Sequence, residues 1–184
     1  MSEPKRKLSH LAFGVFLAFL VTSPWHVLAI ILSVSLIIGV FAAAYLNERF
    51  HVAFVARVFA YYNASNRPAT KAAITFFAGS LFAVLLFPPL NAALAILVLS
   101  VGDGVAAIAG LYIGRHKLFN GKTLEGSVAF FISAFVVLVL FIAPTKAGVI
   151  ALIAAATEPT TPAYLDDNLS IPIITGLLLS LLGL

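Results

Sequence analysis

The chain has no cysteine, and only 10% of its 184 residues are charged. Without cysteine there is no disulfide scaffold, no thiol nucleophile and no Cys-ligated metal. A soluble domain is roughly 25% charged, so a globular fold of this size would lack the polar surface it needs. No low-complexity tract and no repeat period is present, which excludes a disordered or collagen-like chain and a solenoid. What fills the sequence is apolar: 62% of the residues are hydrophobic and the mean hydropathy is +1.10. That composition defines an integral membrane protein. A spanning helix takes about 20 apolar residues. The chain therefore reads as an all-α polytopic bundle of about seven transmembrane helices, one integral membrane domain over residues 1–184 with no room for a separate soluble domain. The formal net charge of +4 sets topology and meets anionic groups, and implies no nucleic-acid partner.

The basic head Lys5-Arg6-Lys7 leads into the first apolar run, 8–21, and Thr22-Ser23-Pro24 separates it from the second, 27–46. A signal peptide is the rival reading of residues 1–30, but no clear small-residue cleavage site follows. Further runs are expected at 72–87, 90–113, 126–143, 147–157 and 171–184, the sixth being the shortest. Residues 50–62 are apolar and aromatic inside a polar stretch, and suit either an interfacial helix or a buried one. With the N-terminus inside, segments 1–7, 47–71, 114–125 and 158–170 hold three, four, three and no Lys/Arg, and only Lys146 falls outside. This split follows the positive-inside rule and places every polar cluster on one face, the cytoplasmic one, whether of a cell membrane or of an endoplasmic-reticulum-type membrane. The sequons Asn63-Ala64-Ser65 and Asn168-Leu169-Ser170 lie on that face and are not glycosylation sites.

Three clusters carry chemistry. Asp103, between Gly102 and Gly104, is a charge inside an apolar run, and such charges cost about 2.5–3.5 kcal/mol to insert. The glycines suggest that the span ends near Gly102 and that a half-helix follows. Gly102, Gly104, Gly110 and Gly114 would then let backbone N–H groups approach a phosphate. Capping a helix or pairing with an Arg is the alternative role for Asp103. The second cluster is the loop 114–125 with Arg115, His116, Lys117 and Lys122, which suits a polyphosphate or, more plainly, sets topology. Gly121-Lys122-Thr123 resembles the end of a P-loop, but that motif needs a glycine where His116 stands. Glu125 at a helix start serves the dipole. The third is Asp166-Asp167-Asn168, hard oxygen donors of the kind Mg²⁺ takes beside phosphates, or a solvated loop before Pro172. Carboxylates, cations and glycines on one face are the parts of a nucleotide-phosphate site, and in so apolar a protein the second substrate is expected to be a lipid.

The stretch Ser100-Val101-Gly102-Asp103-Gly104 with Gly110, Gly114-Arg115-His116-Lys117 and Lys122-Thr123-Leu124-Glu125-Gly126 resembles the CTP-dependent lipid kinase family, which includes dolichol, phytol and fungal-type diacylglycerol kinases. Arg6-Lys7-Leu8-Ser9-His10 looks like the family's Arg-Lys-x-x-His element. Asp166 to Pro172 resembles its Asp-Asn-x-x-x-Pro element, and Arg67-Pro68 is similar to a basic patch. The resemblance spans residues 6–172, with catalytic loops at 100–127 and 158–172. It implies transfer of the γ-phosphate of CTP, with Mg²⁺ or Mn²⁺, to the hydroxyl of a membrane lipid alcohol, polyprenol-like first and phytol or diacylglycerol also fitting. In that reading Asp103, Asp166 and Asp167 hold the metal, or one of them acts as base. Lys122 with Arg115, Lys117, Thr123 and the glycines binds phosphate, and Glu125 organises Lys122 or joins the metal shell. His10, Arg67 and Asn168 line the site. A lipid-phosphate cytidylyltransferase would use the same parts. A small carrier is the third reading, though few ionisable groups lie toward the outer face.

Overall fold

The computed structural model describes residues 3–51, 53–62, 69–162 and 165–182. Eight α-helices follow one another: α1 (Glu3–Thr22), α2 (His26–Phe50), α3 (Ala53–Tyr62), α4 (Ala69–Leu86), α5 (Pro89–Ile113), α6 (Leu124–Val139), α7 (Pro144–Thr160) and α8 (Asp167–Leu181), with a 3-10 turn at Phe119–Gly121. No strand occurs among the described residues. Two helices, α2 and α5, are long and apolar enough to cross a membrane, and α1, α4, α6 and α8 contain shorter apolar stretches. Arg67 and the Asn63 sequon lie outside the described residues.

Helix α5 is the axis. Its residues are buried from Asn91 to Ala106 with few exceptions, and it packs against α1 and α6 most extensively, then α8 and α4. The helix does not break at Asp103: it runs unbroken through Gly102-Asp103-Gly104. Gly102 serves close packing there. A Cβ at this position would stand 2.6 Å from the Phe130 ring of α6. Where lipid replaces water, helices gain little from hiding apolar side chains and associate by close contact of small residues. The alanines of α5 and Gly79 of α4 follow that rule. A Cβ on Gly79 would overlap the Asn168 carbonyl of α8. That carbonyl also lacks its usual helical donor, because residue 172 is proline.

Helix α2 packs on α4 along one side only. Val27, Leu28, Ile31, Val34, Ile38 and Phe41 face outward, all exposed. Ala53, Phe54, Ala56 and Arg57 of α3 are exposed, so the described part of this segment is a surface helix rather than a buried one. Helix α8 starts four residues before the expected run. Asp166 caps it, its carboxylate accepting from the Asn168 N–H at 3.1 Å. Helix α7 extends to Thr160 and so takes in Glu158, which the sequence places in a loop.

A cage of carboxylates and lysines

Five charged side chains from five segments converge at one end of the bundle. Asp103 projects from the middle of α5. Lys7 lies in the first turns of α1, Lys122 between the 3-10 turn and α6, Glu158 in the last turn of α7, and Asp167 at the first position of α8. Lys122 Nζ donates to Glu158 Oε1 at 2.6 Å and to Asp167 Oδ2 at 2.7 Å, and stands 3.8 Å from Asp103 Oδ1. Lys7 Nζ donates to Asp103 Oδ2. Asp103 and Glu158 are 2% and 3% exposed. Burial works against the Lys122 ammonium, but the carboxylates of Asp167, Asp103 and Glu158 outweigh it and hold its pKa above the ordinary lysine value. Within the cage Lys122 is thus held as an ammonium.

One oxygen from each of Asp103, Glu158 and Asp167 lies within 4.8 Å of the others, close enough to share a metal ion. Asp103 Oδ1 and Glu158 Oε2 are buried and make no hydrogen bond. Three carboxylates face two lysines, so the cage carries one uncompensated negative charge. Hard oxygen donors, unfilled acceptor positions and a surplus of negative charge fit a divalent cation such as Mg²⁺ or Mn²⁺. Beside the cage is a cavity of about 280 Å³ whose wall includes Lys7, Lys122, Glu158, Asn120, Thr123 and Gly110.

The remaining candidates fall in several places. Asp166 sits beside the cage as the cap of α8, and the ion-sharing group has Glu158 where the sequence suggests Asp166. Burial, reinforced by the Asp167 charge, pushes the Asp166 pKa up. Asn168 donates at 3.4 Å to the Ala72 carbonyl and the Thr75 hydroxyl, tying α8 to α4. The His10 ring lies tilted by 31° against Phe76, with centroids 4.8 Å apart. Arg115, His116 and Lys117 are exposed on the loop. Glu125 holds that loop: its carboxylate accepts from the Arg115 N–H at 3.0 Å and contacts His116 Nδ1 at 2.7 Å. The Thr123 hydroxyl caps α6 by accepting from the Gly126 N–H. Gly110 and Gly114 leave room for Thr123, since a Cβ on either would press on it. Gly104 faces open space, with no atom within 4 Å of an added Cβ.

Two cage residues, Lys7 and Glu158, are not among those the sequence singles out as site residues. A signal for Glu158 exists. Ala151, Ala154, Ala155 and Glu158 are all buried and recur at helical spacing, which turns the carboxylate toward the face that packs. Lys7 precedes His10 by three residues and shares its side of α1.

An all-helical bundle with a buried acidic and basic cage is thus the class of protein at hand. The chain is 36% identical to the uncharacterized protein MJ1137 of Methanocaldococcus jannaschii over 98% of its own length and 94% of that protein, and it belongs to the same family. It is 28% identical to the uncharacterized protein RP860 of Rickettsia prowazekii, covering 93% of this chain and 90% of the relative. Over 101 residues it is 36% identical to a phytol kinase of Synechocystis, a match that covers 49% of this chain and 43% of the kinase. The CDP-alcohol phosphatidyltransferase 2 family matches residues 11–34, in α1 and the start of α2, a stretch that holds none of the cage. No solved structure matches the chain.

Proposed function

We propose that the protein is a CTP-dependent kinase of a membrane lipid alcohol, with its site on the cytoplasmic face of a seven-helix membrane bundle. The observation that carries this reading is the position of the cage. Asp103 lies at the ends of α1, α7 and α8, yet the ten residues after it carry α5 about 15 Å further. That overhang is apolar and exposed at Ile108, Leu111, Tyr112 and Ile113. A charged cage bordered by outward apolar surface suits a site where a lipid hydroxyl meets a water-soluble nucleotide. The similarity to a phytol kinase supports a lipid alcohol as acceptor. The identity of the nucleotide rests on the family resemblance.

Phosphoryl transfer asks a protein mainly for alignment and charge neutralisation. Lys122 and Lys7 border the cavity and face the phosphates bound there. Asp103, Asp167 and Glu158 would hold a divalent cation, which supplies further neutralisation of phosphate charge. In the alternative role, with Asp103 outside the cation's shell, its Oδ1 takes the proton of the lipid hydroxyl as the hydroxyl oxygen bonds to the γ-phosphorus and CDP departs. Asn168 and His10 support the surrounding helices, and the exposed Arg115 and Lys117 attract the nucleotide from solution. The match at residues 11–34 favours one second reading, a lipid-phosphate cytidylyltransferase. One experiment separates the two. Protein in lipid nanodiscs receives γ-labelled or α-labelled CTP with Mg²⁺, polyprenol, phytol, diacylglycerol and phosphatidate. Label entering lipid from the γ position alone is the expected outcome, and label from the α position alone overturns the kinase reading.

A further inference from the structure

Between the carboxylates of Asp103, Glu158 and Asp167 stands one ammonium, that of Lys122, where shape and charge ask for more. Lys122 Nζ makes short contacts with Glu158 and Asp167, but at 3.8 Å it is too far to donate to Asp103 Oδ1. Asp103 Oδ1 and Glu158 Oε2 have no hydrogen-bond partner although both residues are almost fully buried. A buried acceptor without a donor is costly, and a native site normally fills it. The same ammonium belongs to a mobile kind of side chain. Lys122 has a long stem, lies on the cavity wall and keeps 19% of its side chain exposed.

We infer that Lys122 is a built-in placeholder: it occupies the cation position of the Asp103–Glu158–Asp167 cage in the substrate-free protein and leaves it for the cavity when a divalent cation is bound. The inference rests on reading this cage as the seat of that cation. Charge supports the exchange. With Lys122 inside, two positive charges face three negative ones. With Lys122 replaced by a divalent cation, Lys7 and the cation balance the three carboxylates. The displaced ammonium enters the cavity beside Lys7, where a phosphate gives it a new partner. Cation and nucleotide then favour each other's binding through one lysine, and the substrate-free protein binds a bare cation weakly.

The test measures Mn²⁺ binding to the full chain in nanodiscs, without nucleotide, from the free-ion electron paramagnetic resonance signal. Lys122→Met keeps the stem and removes the charge. The folded variant is expected to bind Mn²⁺ at least tenfold more tightly than the native chain, and equal or weaker binding overturns the inference. A second measurement needs no variant. An amine-acylating reagent is applied to the native chain, and modification of Lys122 is followed by mass spectrometry as Mn²⁺ alone is added. Release from the cage raises the rate severalfold. An unchanged or slower rate means that the lysine stays, and overturns the inference. Neither readout uses turnover. A chain that exchanges Lys122 for Mn²⁺ but phosphorylates no lipid refutes the kinase and leaves the placeholder standing. A chain that binds no Mn²⁺ in either form removes the placeholder.

Discussion

Asp103 has a cation on each oxygen's side, Lys7 as a hydrogen-bond donor and Lys122 at 3.8 Å. Its substitutions separate chemistry from folding. Asp103→Asn keeps the shape and removes the charge, and turnover is expected to fall at least about 100-fold, the scale of losing one electrostatic group in an active site. Circular dichroism should show the helices intact, and near-native turnover would exclude the metal and base roles. Asp103→Ala also removes the acceptor of the buried Lys7 ammonium, which costs about 3–5 kcal/mol where a buried pair is broken. A thermal melt in detergent should show it. The glycines divide in the same way. Gly79→Ala drives a methyl into the Asn168 carbonyl, and overpacking of this kind costs about 1–3 kcal/mol. Gly104→Ala meets nothing within a continuous helix and should melt no lower than the native chain. At this scale Asp103, Lys122 and Asp167 are legible in the sequence because each is a charge, or part of a charge cluster, set against apolar runs. Lys7 and Glu158 are not singled out, since a basic head and a loop carboxylate both have ordinary explanations. The helical spacing of Glu158 with Ala151, Ala154 and Ala155 is a weak signal that packing makes plain.

Among the elements, the loop between α5 and α6 brings Lys122 to the cage. Leu118 N–H to Lys122 carbonyl and Leu124 N–H to His116 carbonyl bonds fold it on itself, and Glu125 holds its base. Asn120 anchors its tip. Its side-chain amide donates to the Pro159 and Thr161 carbonyls at 3.0 and 2.8 Å, beside Glu158, and its own backbone is left-handed at φ 56°. The last carbonyls of a helix have no intrahelical donor, and Asn120 takes up two of them where α7 ends. Asn120→Ala removes both bonds, each worth about 0.5–1.5 kcal/mol, so turnover should fall about tenfold. Asn120→Gly accepts the backbone but lacks the amide, and should fall nearly as far. If glycine restores activity, the backbone and not the clamp is what matters. Helix boundaries were the least legible feature. Asp166, a candidate metal ligand in sequence, also caps the start of α8. The Gly-Asp-Gly run suggests a break, whereas the missing side chain of Gly102 admits Phe130.

For the whole molecule, the composition already demanded helices in lipid, and the apolar runs anticipate α1, α2 and α4 to α8. Pairing of these helices around α5 was not legible, because apolar periodicity is weak where most faces are apolar. The proposed seven crossings would place Lys117 and Lys146 on opposite sides of the membrane. The absence of cysteine makes this directly testable. Lys117→Cys should react with an impermeant maleimide only from the cytoplasmic side, and Lys146→Cys only from the other. Labelling of both from one side would leave an even number of crossings between them.

The order in which the cage charges leave the ribosome has a consequence for how the bundle is built. Domains and segments acquire structure as the chain emerges, N-terminal parts first. Lys7 comes first and Asp103 second, and these two form a direct ion pair. Lys122, Glu158 and Asp167 follow. When α5 enters the bilayer with its acidic residue, the finished protein's partner for that residue is already waiting on α1. The half-made chain can therefore shelter Asp103 by joining its first and fifth helices, before the segments that complete the site exist.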